Sequence, residues 1–236
     1  LMPSGMHPFM NPHTESRLWP YENNDIYSLY NSIFDCQAHG WLNVQSIHLN
    51  LPFSNNEEFR RLHAAVRLVL PYLPGLSASS PFIEGEYRGC LNNRLDHYRH
   101  NQQRIPLIIG KVIPEIVLSR NEYIQKILCP MYQQIAPFDP KGILQHEWLN
   151  SRGAIARFSR NAIEIRVMDI QENPFIDIAI AELVIAVIKG LYNEVLSTFS
   201  EHAYISSDLL ESEFLNTIIT AGDTIIVNKQ LITLFG

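Results

Sequence analysis

Apolar residues recur along the chain with two different periods, and the period separates helix from strand. Between residues 24 and 39, Ile26, Leu29, Tyr30, Ile33, Phe34 and Cys36 form one helical stripe, with Gly40 placed to end it. A second helix is expected from Ser54, where Glu57 has capping-box spacing and Phe59, Leu62, Val66, Val69 and Leu70 follow at helical intervals. Pro71 and Pro74 should end or bend it. Residues 76–85, with Ser77, Ser79 and Ser80 before Pro81, read as a loop or short strand, and residues 121–135 as a helix stopped by Pro137 and Pro140. Residues 175–198 are apolar nearly all round, which predicts a helix buried on several faces. Ser207 is placed to cap a last helix to about Thr220, and the weakly alternating tail, 224–235, suggests a small hairpin. No βαβ rhythm runs through this order, so the expected class is α+β: an antiparallel sheet with helices packed on one face.

Two short alternating runs carry most of the chemical information. In residues 46–51, Ile47, Leu49 and Leu51 fall on one face and Ser46, His48 and Asn50 on the other. In residues 163–169, Ile163, Ile165 and Val167 share the apolar face, while Glu164 and Arg166 project together from the opposite one. Residues 155–158 are a candidate partner strand, and a two-residue turn at Arg160-Asn161 would set Arg157 directly opposite Glu164. The plain interpretation is a half-wet sheet with a cross-strand ion pair. The functional one makes the polar face an active-site floor with an imidazole, a carboxylate, an amide and guanidinium groups. His and Glu suit Mg²⁺ or Mn²⁺, and Arg matches a phosphoryl oxygen in two places, which together serve phosphoryl transfer.

Composition narrows the alternatives. The 236 residues are 46% hydrophobic, enough for one good core, and 18 Lys+Arg against 24 Asp+Glu give −6, so there is no general polycation for nucleic acid. The greasiest run, 176–191, contains Asp177, Glu182 and Lys189, which argues against a membrane span, and no signal-peptide pattern opens the chain. Cys36, Cys90 and Cys129 are odd in number and widely spaced, which fits reduced thiols and a cytoplasmic location. P-loop, dinucleotide-binding and nucleophile-elbow motifs are absent from the sequence. His7 with His13 reads as an exposed pair, His97 and His100 with Arg94 and Arg99 as an internal anion contact, and His146-Glu147 lacks the second His of a zinc-protease helix.

At these residues the chain resembles the glutamate–cysteine ligase family, in particular its bacterial carboxylate–amine ligase branch. Gly5-Met6-His7-Pro8-Phe9 is similar to the family's Gly-x-His-Pro-Phe segment, and residues 45–50 resemble its His-bearing strand. Residues 73–82 are similar to its Leu-Ser-Ala-Ser-Pro turn, with Gly85 and Arg88 or Arg94 following. Residues 163–169 are close to its Glu-x-Arg-x-x-Asp strand, followed by Asn173-Pro174-Phe175. The resemblance implies a glutamine-synthetase-like catalytic domain spanning residues 1–236, whose sheet lines a funnel for ATP, divalent metal and an amino-acid carboxylate. It implies an acyl-phosphate intermediate, then attack by an amine, as in glutathione biosynthesis. Carried over to this chain, His48 and Glu164 fall on metal-ligand positions, Arg166 on a phosphate-contacting one, and Arg94 near a substrate- or phosphate-binding arginine, with Arg88 competing for that alignment; Glu164 and Arg166 are the expected catalytic pair, and Asn50 and Arg157, from the polar face of the strands, are expected to bind substrate or nucleotide. The family's opening Gly-x-Glu-x-Glu strand has no counterpart before Gly5, so the chain is expected to be a fragment lacking that acidic strand. The alternatives are a ligase-like fold kept as a binding or regulatory module, and, further off, a guanidino-kinase-like phosphotransferase. The expected partners are small molecules, not nucleic acid or membrane, and the apolar helix from Phe175 is expected to bury part of its surface against a second copy.

Overall fold

The computed structural model describes residues 3–235, so the reading of Leu1 and Met2 as a start in mid-fold lies outside the described residues. The class is α+β: helices surround a three-stranded antiparallel sheet of β1 (Ser46–Pro52), β4 (Ala154–Arg157) and β5 (Ala162–Asp169), with β5 in the centre. A separate two-stranded hairpin joins β2 (Phe82–Ile83) to β3 (Glu86–Tyr87). Ile163, Ile165 and Val167 belong to the main core, as the alternation predicts. Beside them Phe53, Phe59, Tyr123 and Phe158 form a cluster of edge-on and tilted rings, with centroids 5.3–6.1 Å apart.

Pairing within the sheet departs from the expected register. Glu164 stands opposite Asn50 on one side and Ile155 on the other, whereas Arg157 pairs with Ala162. The cause is the connection, which is not a two-residue turn at Arg160-Asn161. It is a 3₁₀ turn, Phe158–Arg160, closed by Asn161 in the left-handed region at φ 49°. The shift is two residues, an even number, so Arg157 keeps its face and still reaches Glu164 along a diagonal. Between Ile47 and Leu49 the β1–β5 ladder is irregular: His48 alone stands against Arg166 and Val167. A bulge of this kind raises local twist and re-aims side chains.

Helix boundaries move in instructive ways. The 24–39 stripe forms Asn24–Phe34 and stops at Asp35 in the left-handed region, five residues before Gly40. Asn55, not Ser54, caps the Asn56–Val69 helix by accepting from the Glu58 amide, while the Glu58 carboxylate accepts from the Ser54 amide. The cap therefore falls one residue later than the Ser/Glu spacing suggests, because Asn serves as well as Ser, and the Glu58 carboxylate reaches back to the amide before the cap. Ser206 likewise replaces Ser207 as the cap of Ser207–Thr220, and the Ser207 hydroxyl instead bonds the Pro114 carbonyl and the Arg67 guanidinium. Residues 120–135 are helical throughout, with a π-helical stretch at Ile124–Leu128. The tail is not a hairpin: it forms the short helix Lys229–Thr233, capped by Asn228 and anchored by buried Leu231.

The largest correction concerns the apolar helix, which spans Pro174–Tyr192 and buries only Val184, Ile188 and Leu191. Phe175 is 79% exposed, and Ile176, Ile178 and Leu183 are also exposed. Apolar composition on every side does not create partners on every side. Among the described residues, no helix is long and apolar enough to cross a membrane.

One buried side chain makes acid stability predictable. His63 is fully enclosed between Phe59 and Tyr123, and neither ring nitrogen has a partner among the described residues. Burial, with the nearby Arg67 charge adding to it, pushes its pKa down to about 3. Above pH 6.5 the imidazole is neutral in both folded and unfolded chains. Below 6.5 only the unfolded chain takes up the proton, so stability should fall by about 1.4 kcal/mol per pH unit until about pH 3. Urea titrations over that range should show the slope flattened by about that amount in His63→Leu; an unchanged slope would mean that this imidazole is not buried neutral.

Candidate active site

Glu164 is the centre of the polar face, with a side chain 6% exposed. Its Oε1 accepts from Arg166 Nε at 2.8 Å and lies 3.3 Å from His48 Nδ1, and its Oε2 accepts from Arg157 Nη1 at 3.0 Å. The His48 hydrogen bond, supported by the Arg166 charge and outweighing the cost of burial, holds this carboxyl down to about 2, so it is ionised at neutral pH. His48 Nε2 lies 3.0 Å from the Ser46 hydroxyl. An imidazole protonated on Nδ1 therefore donates to Glu164 and leaves Nε2 as acceptor for Ser46. The alternating strands thus bring together Ser46, His48, Glu164 and Arg166, with Arg157 added from β4 and Asn50 in register with Glu164.

Arg166 is held at several points. Its Nε goes to Glu164 and its Nη1 donates to the Asn150 carbonyl at 3.1 Å, and the Tyr98 side chain is a further hydrogen-bond partner of the guanidinium at the cleft wall. The guanidinium lines a cleft of about 240 Å³ together with Ser46, His48, Tyr30, Tyr98 and Ser151. A guanidinium fork held by a carboxylate and a carbonyl at the wall of a cleft is preorganised for an anion.

Beneath this cleft sits a residue to which no role was assigned from sequence. Asp169 is fully buried; its Oδ1 accepts from Arg94 Nε at 2.5 Å, and its Oδ2 accepts from the Ser79 amide and the Ser80 hydroxyl. Gly5 approaches so closely that a Cβ there would lie 2.3 Å from Asp169 Cγ. Its amide donates to Ser79 Oγ, and its carbonyl accepts from Gln45 at the start of β1. Three sequence segments separated by as many as 164 residues (169 − 5) therefore meet on one carboxylate. The available signal was the Asp closing the Glu-x-Arg-x-x-Asp run. Arg94 lines the cleft, but its side chain is 4% exposed and its terminal nitrogens point to the Arg166 carbonyl. Arg88 is outside this constellation, on the exposed stretch after β3 and 3.6 Å from Glu86.

A divalent metal fits this donor set poorly. Mg²⁺ requires near-octahedral oxygen coordination, whereas the sheet offers one imidazole and one carboxylate whose two oxygens already serve guanidinium groups. Among the described residues there is no group of three or more His, Cys, Asp or Glu side chains arranged to hold a metal. His7 and His13 also stand apart from such a role: His7 Nδ1 accepts the Met10 amide, and His13 lies in a short helix against His39.

Residues 1–207 match the family model described as glutamate-cysteine ligase family 2 (GCS2). The chain is also 39% identical over 196 residues to an uncharacterized protein of Archaeoglobus fulgidus, an alignment covering 82% of this chain and 52% of that relative. The chain thus spans about half the length of the curated relative it matches.

Proposed function

Because the chain belongs to glutamate-cysteine ligase family 2, we propose that this cleft serves an ATP-dependent carboxylate–amine ligase of the glutamate–cysteine ligase kind, on a glutamine-synthetase-like catalytic domain in the cytoplasm. The observation that supports it is Arg166, whose guanidinium is fixed by Glu164 and the Asn150 carbonyl and faces the cleft beside His48, Ser46 and Tyr98.

In the proposed reaction a substrate carboxylate oxygen attacks the γ-phosphorus of ATP, the bond to the β-phosphate oxygen breaks, and ADP leaves. The amine nitrogen then attacks the acyl carbon, phosphate departs with the carbon–oxygen bonding pair, and the nitrogen sheds a proton. No protein nucleophile is needed. Positioned positive charge is, because phosphoryl transfer depends mostly on placement and charge stabilisation. Arg166 would supply it, with Glu164 setting its orientation, and Arg157 and Asn50 extend the same polar face. Arg94 would act through its hold on Asp169 and on the Arg166 carbonyl. His48 and Glu164 do not make a metal site by themselves, so no step is assigned to them through a metal.

The test is ADP and phosphate release by the full natural polypeptide, given glutamate, a panel of amines including cysteine, and ATP as its Mg²⁺ complex. Phosphate release that requires both acid and amine is expected. A second reading, a ligase-like module that binds without catalysing, draws on the full engagement of both Glu164 oxygens. ATP or amino-acid binding with no phosphate release would favour that module over the enzyme.

A further inference from the structure

The chain has three tryptophans, Trp19, Trp41 and Trp148, and all of them line one pocket of about 400 Å³. Tyr27 and Tyr30 add two more rings to its wall. The remaining lining is aliphatic apart from the Cys36 thiol, which burial pushes up to about 12, so the wall carries no charge at neutral pH. Tyr30 stands edge-on to Trp41, with centroids 5.6 Å apart, and packs on Phe34 at 4.8 Å, which holds these rings in place. Trp19 and Tyr27 are 54% and 45% exposed, so aromatic surface at this pocket is left in water. The pocket adjoins the Arg166 cleft, because Tyr30 and Trp41 line both. The same short segments build the two. Residues 148–151 put Trp148 in the pocket, the Asn150 carbonyl on Arg166 and Ser151 in the cleft; residues 41–48 put Leu42 in the pocket, and Ser46 and His48 in the cleft. Where they meet, the Tyr30 hydroxyl has Gln102 and Ser151 as hydrogen-bond partners.

We propose that the pocket binds the aromatic side chain of a primary amine whose nitrogen reaches the Arg166 cleft, which makes an arylalkylamine, not cysteine, the amine substrate. That this amine reacts rests on the ligase reading above; that its ring is bound here rests on the walls. Of the three reactants in that reading, glutamate is charged at both ends, and the base of ATP carries donors and acceptors round its edge. Either would leave polar groups unpaired against carbon. An aryl ring has none to leave, and it can stack on or stand edge-on to the rings already fixed there. Among the described residues no carboxylate lines the pocket to draw a cation in instead. The side chain of cysteine, one carbon and one sulfur, would leave most of this space to water held against apolar walls.

Tryptophan emission from the purified chain reads the pocket directly. Phenethylamine should change it saturably, with an affinity at least about tenfold above that of ethylamine or cysteine. Tyr27→Ala, at an exposed position, should weaken phenethylamine at least about threefold, the scale of one ring–ring contact. Trp148→Ala should weaken it at least about tenfold and bring its advantage over ethylamine close to one. An unchanged circular dichroism spectrum checks the folding of both variants. With the full natural polypeptide, glutamate and ATP as its Mg²⁺ complex, phosphate release should follow the same order of amines. Equal affinity for phenethylamine and ethylamine, an unresponsive emission, displacement of phenethylamine by adenosine, or indifference to both substitutions would each overturn the assignment. Phosphate release that prefers cysteine would keep the ligase and remove the arylalkylamine. Ring-selective binding with no phosphate release from any amine would keep the pocket's ligand and remove the ligase.

Discussion

Arg166→Lys is expected to lower amine-dependent phosphate release about 10²–10³-fold while changing unfolding free energy by no more than about 1 kcal/mol. Lysine keeps the positive charge and can still meet Glu164, but it has one nitrogen where arginine has three. At present Nε and Nη1 are fixed by Glu164 and the Asn150 carbonyl, which leaves Nη2 aimed by the other two. An ammonium that pairs with Glu164 has no second, rigidly placed donor, and one that turns to the ligand abandons a buried carboxylate. The loss should therefore appear in turnover, since the missing donor matters most when charge develops on the transferring group. Steady-state assays beside urea titration separate the cases. Parallel loss of stability and activity would make Arg166 a structural member of the sheet, and unchanged turnover would remove it from the reaction.

The second large effect concerns stability. Asp169→Ala should destabilise the chain by about 3–5 kcal/mol, the usual cost of leaving a buried charge without its partner. Arg94 is 4% exposed and has no other carboxylate partner among the described residues, while the Ser79 amide loses its acceptor and the Ser80 hydroxyl keeps only a long bond to Asn92. At this chain length such a loss corresponds to a melting temperature lower by roughly 6–20 °C. Differential scanning calorimetry would measure it, and Ser80→Ala, which removes one neutral donor, should cost only about 1 kcal/mol. If Asp169→Ala cost no more than Ser80→Ala, Asp169 would not be the point where the Gly5 segment, the Ser79–Ser80 turn and β5 are tied together.

That knot shows where sequence reading stops. The Gly5, Ser79 and Asp169 segments each matched a family pattern, yet nothing in their spacing says that they touch. Their contact is made across more than seventy residues by a carboxylate that accepts from all directions, and a Gly whose missing side chain leaves room for it. Arg94 illustrates the same gap. A guanidinium in a basic cluster reads as a ligand contact until the fold supplies Asp169, after which its Nε is committed.

Local pattern by itself determined which residues alternate and which follow the helical period. It therefore put Glu164 with Arg166, and His48 with Asn50, on shared faces, because a strand's side-chain period is two whatever surrounds it. It also determined, through its motifs, the family to which the chain belongs. Tertiary structure alone decided the rest: the two-residue shift of β4, the anchoring of Arg94 on Asp169, and the exposure of the long apolar helix. The physical reason is common to all three. A period specifies the direction in which a side chain points relative to its own backbone, whereas burial, pairing and charge compensation depend on what the rest of the chain places in front of it.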